Sequence, residues 1–267
     1  MFIKKVSLCL LLSVGALLVR AGENPPPATN PPPKEVHWPS PIDPPKPIET
    51  SIMALTNTAL RMLEPGIFEV GKVRLDQRHR NITLSAVLNR AQGPMEYFLV
   101  TAYGKTHESI LKTKAAPYDI HLAMLLLGAD GSSNTNFPGI PANGVPGPVV
   151  HPSKEAIPGN NVAIDVKWTT PEGETHHSAE DLIYRHDTQT VMEHGSWVYN
   201  GSIIIRGRFV AQADGSIISL VTDPVALINN TGPGHDNDMI WTANTNNLPP
   251  PNVPVEVTIT LEETKPK

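Results

Sequence analysis

The sequence predicts an α+β domain that is rich in β-structure, with mostly antiparallel strands and one central buried helix. Short runs of β-branched and aromatic residues alternate with a period of two, for example in 81–88 and 255–261. Gly, Pro or Asn turns separate about ten such runs, which is typical of consecutive antiparallel strands. Only the segment 117–127 has the apolar spacing and end signals of a good helix.

Residues 1–21 have the features of a cleaved export signal. Lys4 and Lys5 precede an apolar stretch, 6–18, and Ala21 ends the leader with the small residue that a signal peptidase requires. The apolar stretch is shorter than the roughly 20 residues that a membrane-spanning helix needs. We therefore expect a protein exported to the periplasm or the exterior, soluble there, with no transmembrane segment after cleavage.

The only cysteine of the chain, Cys9, lies inside this predicted leader. Its removal would leave a mature chain without a thiol, so that no disulfide can form. An iron–sulfur cluster is excluded for the same reason, because it needs about four thiolate ligands. No cofactor is predicted, although a divalent metal bound by histidine and carboxylate side chains stays open.

The charge of the chain argues against nucleic acid as a partner. The formal net charge is −5, and loss of Lys4, Lys5 and Arg20 with the leader would make it more negative. Apart from 78–80, the remaining chain has no cluster of basic residues. An acidic protein without a basic stripe is not typical of nucleic-acid binding.

Residues 22–50 are predicted to form a proline-rich spacer, because 11 of the residues between 23 and 50 are proline. Proline fixes φ and lacks a backbone N–H, so this stretch cannot join a sheet or continue a helix. An extended spacer and a tail without a role both fit this composition. The remaining residues, 51–267, are predicted to form a single domain.

The first strands of this domain follow one another closely. Alternation begins at Gly66, and the turn sequences 91–94 and 102–104 are typical of hairpin connections. The predicted strand runs are 66–72, 73–76, 81–88, 95–101 and 105–112.

The central helix is predicted at 117–127. Pro117 stands in its first turn, Asp119 lies near its positive end, and Gly128 follows its last residue. Ile120, Ala123 and Met124 share one face, and leucines fill much of the rest. A helix that is apolar nearly all round is typical of a buried position.

A long loop rich in Gly, Pro, Asn and Ser is predicted at about 129–160, after which strands resume. The sequence Asp214-Gly215 indicates a hairpin turn, and Asp223-Pro224 opens a short helical turn or loop. The later strand runs are 162–168, 197–205, 209–213, 217–221 and 255–261. The segment 175–184 is either a return strand or a strand that ends in a helical turn.

Four phrases of the chain together resemble the YdjY-domain family of bacterial exported proteins. They are 104–109 (GKTHES), 117–128 (PYDIHLAMLLLG), 179–183 (AEDLI) and 216–229 (SIISLVTDPVALIN). The resemblance extends over roughly residues 66–262. It implies little chemistry, since no activity is established for that family. Some members are labelled ferredoxin-like, and the absence of mature thiols gives that label no support here.

The leading candidate site consists of His107, Glu108 and His121. On a regular strand His107 and Glu108 point to opposite faces, so both can reach one ion only where a bulge intervenes. If the helix packs on this sheet, His121 approaches them, and two imidazoles with a carboxylate suit a transition metal or a general base. Alternatively, His121 is a core histidine bonded to a backbone carbonyl.

Three weaker candidate groups remain, and each has an ordinary structural alternative. The histidine-rich stretch 174–194 lacks a zinc-protease spacing, and adjacent histidines on a hairpin usually point apart. The acidic loop after Gly234 offers hard oxygens for calcium or is a solvated turn. Asp223 is most simply a turn or cap residue. The candidates are His176, His177 and Asp181, then Asp236 and Asp238, and then Asp223.

These observations favour an exported bacterial cell-envelope protein whose domain binds or supports a partner without catalysis. The partner would be another envelope protein or a small ligand. A non-catalytic role is preferred because no complete catalytic constellation emerges from the sequence, although enzymatic activity is left open. The alternative is a metal-binding protein or metal-dependent enzyme that uses His107, Glu108 and His121.

Overall fold

The computed structural model describes residues 59–130, 154–205 and 207–263. The predicted leader 1–21, the spacer 22–50 and most of the predicted loop at 129–160 lie outside the described residues. Among the helices that are described, none has the length and apolar character to cross a membrane.

Strands dominate the described part of the chain. Two short helices accompany them, α1 (Pro117–Leu126) and α2 (Val210–Asp214), together with 3₁₀ turns at Thr106–Glu108 and Ala179–Leu182. The strands are β1 (Leu60–Glu64), β2 (Ile67–Val70), β3 (Val73–Asp76), β4 (Asn81–Leu88), β5 (Tyr97–Thr101), β6 (Ser109–Thr113), β7 (Asn160–Thr170), β8 (Gly173–Ser178), β9 (Ile183–Arg185), β10 (Thr190–Val191), β11 (Trp197–Tyr199), β12 (Ile204–Ile205), β13 (Arg208–Phe209), β14 (Ser216–Ser219), β15 (Ile228–Asn230), β16 (Trp241–Ala243) and β17 (Pro254–Leu261).

Eight of these strands close into a barrel. Their order is β4-β17-β7-β11-β15-β14-β5-β6, and β6 pairs back onto β4. The β14–β15 and β5–β6 pairs are parallel and the other pairs of the ring are antiparallel, so the barrel is mixed. Closure pairs every strand of the ring on both sides and removes free edges. Strands β1 to β3 continue outward from β4, and β8 pairs with β7.

The closed barrel corrects the predicted fold class. The predicted β-richness is confirmed, but the α+β class, built on mostly antiparallel strands around a central helix, is wrong. Strands β5 and β6 are joined by only seven residues, 102–108, and the turn sequence 102–104 among them predicted a hairpin. Instead the connection returns alongside β5 to the beginning of β6, and the two strands run parallel. Parallel neighbours usually need a connection of a dozen residues or more.

Helix α1 forms at the predicted position but is not central. It contacts β2, β3 and β4 on one side and α2 on another. Ile120, Ala123 and Met124 are fully buried, whereas the side chains of Leu125 and Leu126 are each 40% exposed. Its apolar composition therefore reflects one buried face and one face that the described residues leave open.

The inside of the barrel is filled by apolar side chains in matched registers. Val257 of β17 lies opposite Leu84 of β4 and Val166 of β7. All three are at most 2% exposed. Full burial of a side chain of this size contributes about 1.5–3 kcal/mol. These layers form a packed core, as in other small barrels.

One prediction in the second half of the chain is also corrected. Residues 210–214 form α2 rather than a strand, and Gly215 ends this helix in the left-handed region with φ +75°. Within 175–184, β8 is followed by the 3₁₀ turn at Ala179–Leu182, in line with the alternative of a strand ending in a helical turn, and β9 begins after that turn. Outside the large sheet, β9 lies between β10 and β16 in a small three-stranded sheet.

Candidate functional site

Three side chains meet in a polar cluster, which we call the buried cluster although the Lys105 side chain is 35% exposed. The Tyr97 hydroxyl donates a hydrogen bond to Asp223 Oδ2 at 2.6 Å. Lys105 Nζ donates to the same hydroxyl at 2.5 Å and lies 3.9 Å from Asp223 Oδ2. Tyr97 and Asp223 are each 1% exposed. The cluster is therefore a buried carboxylate with a tyrosine and an ammonium group as partners.

Strand topology brings these residues together. Tyr97 is the first residue of β5, and it lies opposite Ser219 at the end of the antiparallel strand β14. Asp223 follows β14 and so reaches the same end of β5. Lys105 belongs to the connection that returns from the end of β5 towards the beginning of β6. The parallel arrangement of β5 and β6 thus carries Lys105 back past Tyr97.

Buried asparagines hold the Asp223 backbone. The Asp223 N–H donates to Asn229 Oδ1 at 2.7 Å, and Asn229 Nδ2 donates to the Asp223 carbonyl at 2.9 Å. Asn229 Nδ2 also donates to Asn200 Oδ1 at 2.8 Å. The N–H of Val225 donates to Asp223 Oδ1 at 3.0 Å. Both oxygens of the carboxylate therefore have partners, which is the condition for burying a charge without a large penalty.

The environment of Tyr97 keeps its hydroxyl protonated. Burial raises its pKa well above the ordinary value, and the negative charge of Asp223 raises it further. Removing the phenolic proton would place a second negative charge beside the carboxylate. Tyr97 is thus a hydrogen-bond donor at neutral pH rather than a base.

A pocket of about 170 Å³ opens beside this cluster, and we call it the Glu96 pocket. Glu96 precedes β5 and Glu108 precedes β6, so the parallel strands bring both carboxylates to the same barrel end. Asp238 and Met239 reach the pocket from the chain before β16. The lining residues are Pro94, Glu96, His107, Glu108, Asp238 and Met239.

His107 and Glu108 are brought together by the 3₁₀ turn at Thr106–Glu108, which replaces the regular strand expected there. His107 Nε2 lies 3.4 Å from Glu108 Oε2. Asn89 Nδ2 holds the turn by donating to the carbonyls of Thr106 at 2.6 Å and Ser109 at 2.9 Å. The pairing of His107 with Glu108 therefore rests on a local departure from strand geometry.

Negative charge accumulates in the Glu96 pocket. Burial raises the pKa of Glu96, and the charges of Glu108, Asp238 and Asp223 raise it further, while Lys105 lowers it. Among the described side chains, Glu96 and Asp238 have no hydrogen-bond or ion-pair partner. The net effect is a pocket that favours a positive charge or a proton.

His121 lies at a different place. Its Nδ1 is 2.6 Å from the Tyr199 hydroxyl of β11, and its ring packs against Phe209 with a centroid distance of 4.8 Å. The structure therefore joins His107 to Glu108 but does not bring His121 to them. The partner of His121 is a side-chain hydroxyl rather than the backbone carbonyl expected from the sequence. Burial lowers the pKa of His121 to about 4.

We expect His121 to make the fold sensitive to acid. Its pKa is about 4 in the folded protein and ordinarily 6.5, so the unfolded chain binds the proton first as the pH falls. Stability present above pH 6.5 is then lost progressively down to pH 4, by as much as about 3 kcal/mol. Urea unfolding at pH 7 and pH 4.5 measures this loss. In His121→Gln, which cannot titrate, the loss should be clearly smaller; equal losses in both proteins would refute the assignment.

The weaker candidates are distributed over several places. His177 Nδ1 and His194 Nε2 contact the two oxygens of Asp181, at 3.7 and 3.1 Å. His176 instead lies 3.6 Å from Asp165. Asp238 lines the Glu96 pocket, whereas Asp236 of the same loop does not, and Asp223 belongs to the buried cluster. In the described ranges, no three His, Cys, Asp or Glu side chains are arranged to hold a metal ion.

Several site residues were missed by sequence reasoning. Lys105 stands two residues before His107 in the phrase 104–109, and this proximity was a usable signal. Tyr97 and Glu96 carried no such signal. Their positions depend on which strand ends lie side by side.

Comparison with known proteins yields one match. The model of the YdjY domain matches residues 73–260, a range that contains the buried cluster and the Glu96 pocket. Neither the curated proteins nor the solved structures contain a match to this chain.

Proposed function

The chain belongs to the YdjY-domain family, and from this premise we propose that it is an exported bacterial cell-envelope protein that binds a partner without catalysis. The export signal expected at 1–21 supports the location. The Glu96 pocket supports the binding role, since two of the phrases that resemble the family, 104–109 and 216–229, meet beside it.

The proposal rests on the charge balance of the Glu96 pocket. Three carboxylates line it, while the nearby ammonium group of Lys105 is engaged by Tyr97 and Asp223. His107 offers a further positive charge only when it is protonated. A cationic group entering the pocket would pair with Glu96 and Asp238 and relieve their mutual repulsion. A positively charged ligand is therefore favoured over an anionic one.

The apolar surface at the rim of the pocket indicates which class of cationic ligand fits. Pro94 and Met239 contribute apolar surface, and Met239 is 75% exposed. A lysine or arginine side chain combines an aliphatic stem with a charged head and can contact both kinds of surface at once. We infer that the partner is another envelope protein that presents a basic side chain to this pocket.

Tyr97 is not suited to act as a general base at neutral pH. Its hydroxyl donates to Asp223 and its pKa is raised, whereas a catalytic base needs a pKa near the working pH. The alternative metal site would need His121 beside His107 and Glu108. His121 is instead bonded to Tyr199.

The expected result is weak, specific binding of a lysine-containing peptide. We expect the peptide acetyl-Gly-Lys-Gly-amide to shift the amide NMR signals of residues 95–97, 106–109 and 238–240 of the full chain. Glu108→Gln and Asp238→Asn should each weaken binding by about three- to tenfold, the loss of one charge pair near 1 kcal/mol. Glu69→Gln, which removes an exposed carboxylate elsewhere, is the matched control and should not change binding.

Two outcomes would overturn the proposal. The same peptide with norleucine in place of lysine has the aliphatic stem without the charge. If it shifts the NMR signals as much as the lysine peptide does, binding does not depend on the charge of the ligand. Stoichiometric zinc binding that is lost in both His107→Ala and His121→Ala would favour the metal alternative.

A further inference from the structure

The chain that leaves strand β14, residues 219–223, contacts two of the segments that line the Glu96 pocket. The Leu220 N–H donates a hydrogen bond to the Glu96 carbonyl at 2.8 Å. Thr222, two residues further on, contacts the loop 231–240, which carries Asp238 and Met239 to the pocket. A short stretch of backbone therefore holds Glu96 and also the loop that supplies another carboxylate.

Thr222 holds this loop at His235. Its N–H donates to the His235 carbonyl at 2.8 Å, and its hydroxyl oxygen lies 2.7 Å from His235 Nδ1, within hydrogen-bond distance. Thr222 is 0% exposed. The indole N–H of Trp241, which is also buried, donates to the Gly234 carbonyl at 3.2 Å. Residues 234 and 235 are thus the part of the loop that is anchored to the core.

Beyond this anchor the loop is held by local contacts. The Asn237 N–H donates to the Gly234 carbonyl at 3.1 Å, and the Met239 N–H donates to Asn237 Oδ1 at 3.0 Å. The Met239 side chain is 75% exposed, so burial does not fix the tip of the loop. The position of Asp238 therefore follows from the position of His235, three residues before it.

We propose that Thr222 is a positioning residue: by holding His235 it fixes how far the carboxylate of Asp238 lies from the other two carboxylates of the Glu96 pocket. Those two are fixed relative to each other, because the Glu96 N–H donates to the Glu108 carbonyl at 2.9 Å. Attraction between charges falls with distance, so one cationic group gains from several carboxylates only where they lie close together. The ligand in this inference rests on the proposed function, whereas the positioning concerns the protein without a ligand.

The protonation of Glu96 reports the position of Asp238 in the protein without a ligand. Burial is the largest cause that raises the pKa of Glu96, and the negative charges of Glu108 and Asp238 raise it further. If the loop moves away, the repulsion from Asp238 weakens and the pKa of Glu96 falls. Loss of positioning is therefore measurable without any peptide.

Thr222→Val tests the proposal in the full chain, since it replaces the hydroxyl by a methyl group of similar size. We expect binding of acetyl-Gly-Lys-Gly-amide to weaken about three- to tenfold, as for the loss of one charge pair. The pKa of Glu96, measured by NMR titration of its carboxyl carbon without peptide, should fall below that of the natural protein. Thr222→Ser keeps the hydroxyl and should restore both values.

Thr113→Val is the matched control. Thr113 is 3% exposed, and its hydroxyl donates to the Ser85 carbonyl at 2.6 Å, at the end of β6 that lies away from the pocket. This variant also loses a buried hydroxyl but should leave peptide binding and the pKa of Glu96 unchanged. If it changes both as much as Thr222→Val does, the effect is one of general stability and the positioning role is wrong.

An unchanged pKa of Glu96 in Thr222→Val would also overturn the proposal. If that variant does not fold, His235→Leu removes the same contact from the loop side and is judged by the same two measurements. Failure of the natural protein to bind the peptide would contradict the proposed function, while the titration of Glu96 would still decide whether Thr222 positions the loop.

Discussion

Replacing Asp223 by Ala should lower the free energy of unfolding by about 2–4 kcal/mol, because two buried hydrogen-bond donors would lose their acceptor. The Tyr97 hydroxyl and the Val225 N–H would lose their acceptor, and Lys105 would lose its nearest buried carboxylate. Each buried polar group left unpaired costs about 1–3 kcal/mol. Urea unfolding followed by tryptophan fluorescence measures the change.

Glu69→Ala is the matched control for this substitution. Glu69 of β2 also forms an ion pair, with Arg61 of β1, but both of these side chains are exposed. Exposed pairs contribute about 0–1 kcal/mol, so the control should change stability little. A loss below 1 kcal/mol in Asp223→Ala would mean that the Lys105–Tyr97–Asp223 cluster does not stabilise the fold as its burial indicates.

Replacing Gly215 by Ala should destabilise the protein by about 2–6 kcal/mol, through two effects that add. Gly215 has φ +75°, a conformation that costs other residues about 1–3 kcal/mol. An added Cβ would also lie 2.2 Å from Thr101 Oγ1 and 2.8 Å from Gly104 Cα. The second contact is with backbone, which cannot rotate away, so overpacking adds about 1–3 kcal/mol.

Gly128→Ala separates the two effects. Gly128 has φ +90° but no atom within 4 Å of an added Cβ. The control should therefore lose only the conformational part, about 1–3 kcal/mol. Equal losses at the two positions would show that the close approach of Gly104 and Gly215 is not a tight constraint. A larger loss at Gly215 would show that the close approach of Gly104 and Gly215 is a tight constraint.

The local sequence pattern was sufficient to predict part of the fold. Period-two alternation correctly predicted that the domain is rich in strands, and the signals around Pro117 and Gly128 located α1. The four phrases led to the family that the match over 73–260 establishes. His107 and Glu108 were also identified as a pair, although the 3₁₀ turn that joins them was not foreseen. These features depend on neighbours along the chain, and such neighbours are visible in the sequence.

Barrel closure and the buried cluster were decided by tertiary structure. The pairing of β6 with β4, the parallel course of β5 and β6, and the contact of Tyr97 with Asp223, 126 residues apart, depend on strand register across the whole ring. Every strand of a closed barrel must satisfy two neighbours at once, so its place is set by the fit of the complete ring. A strand's own residues determine that it is extended and which face is apolar, but they do not determine which strands it lies between.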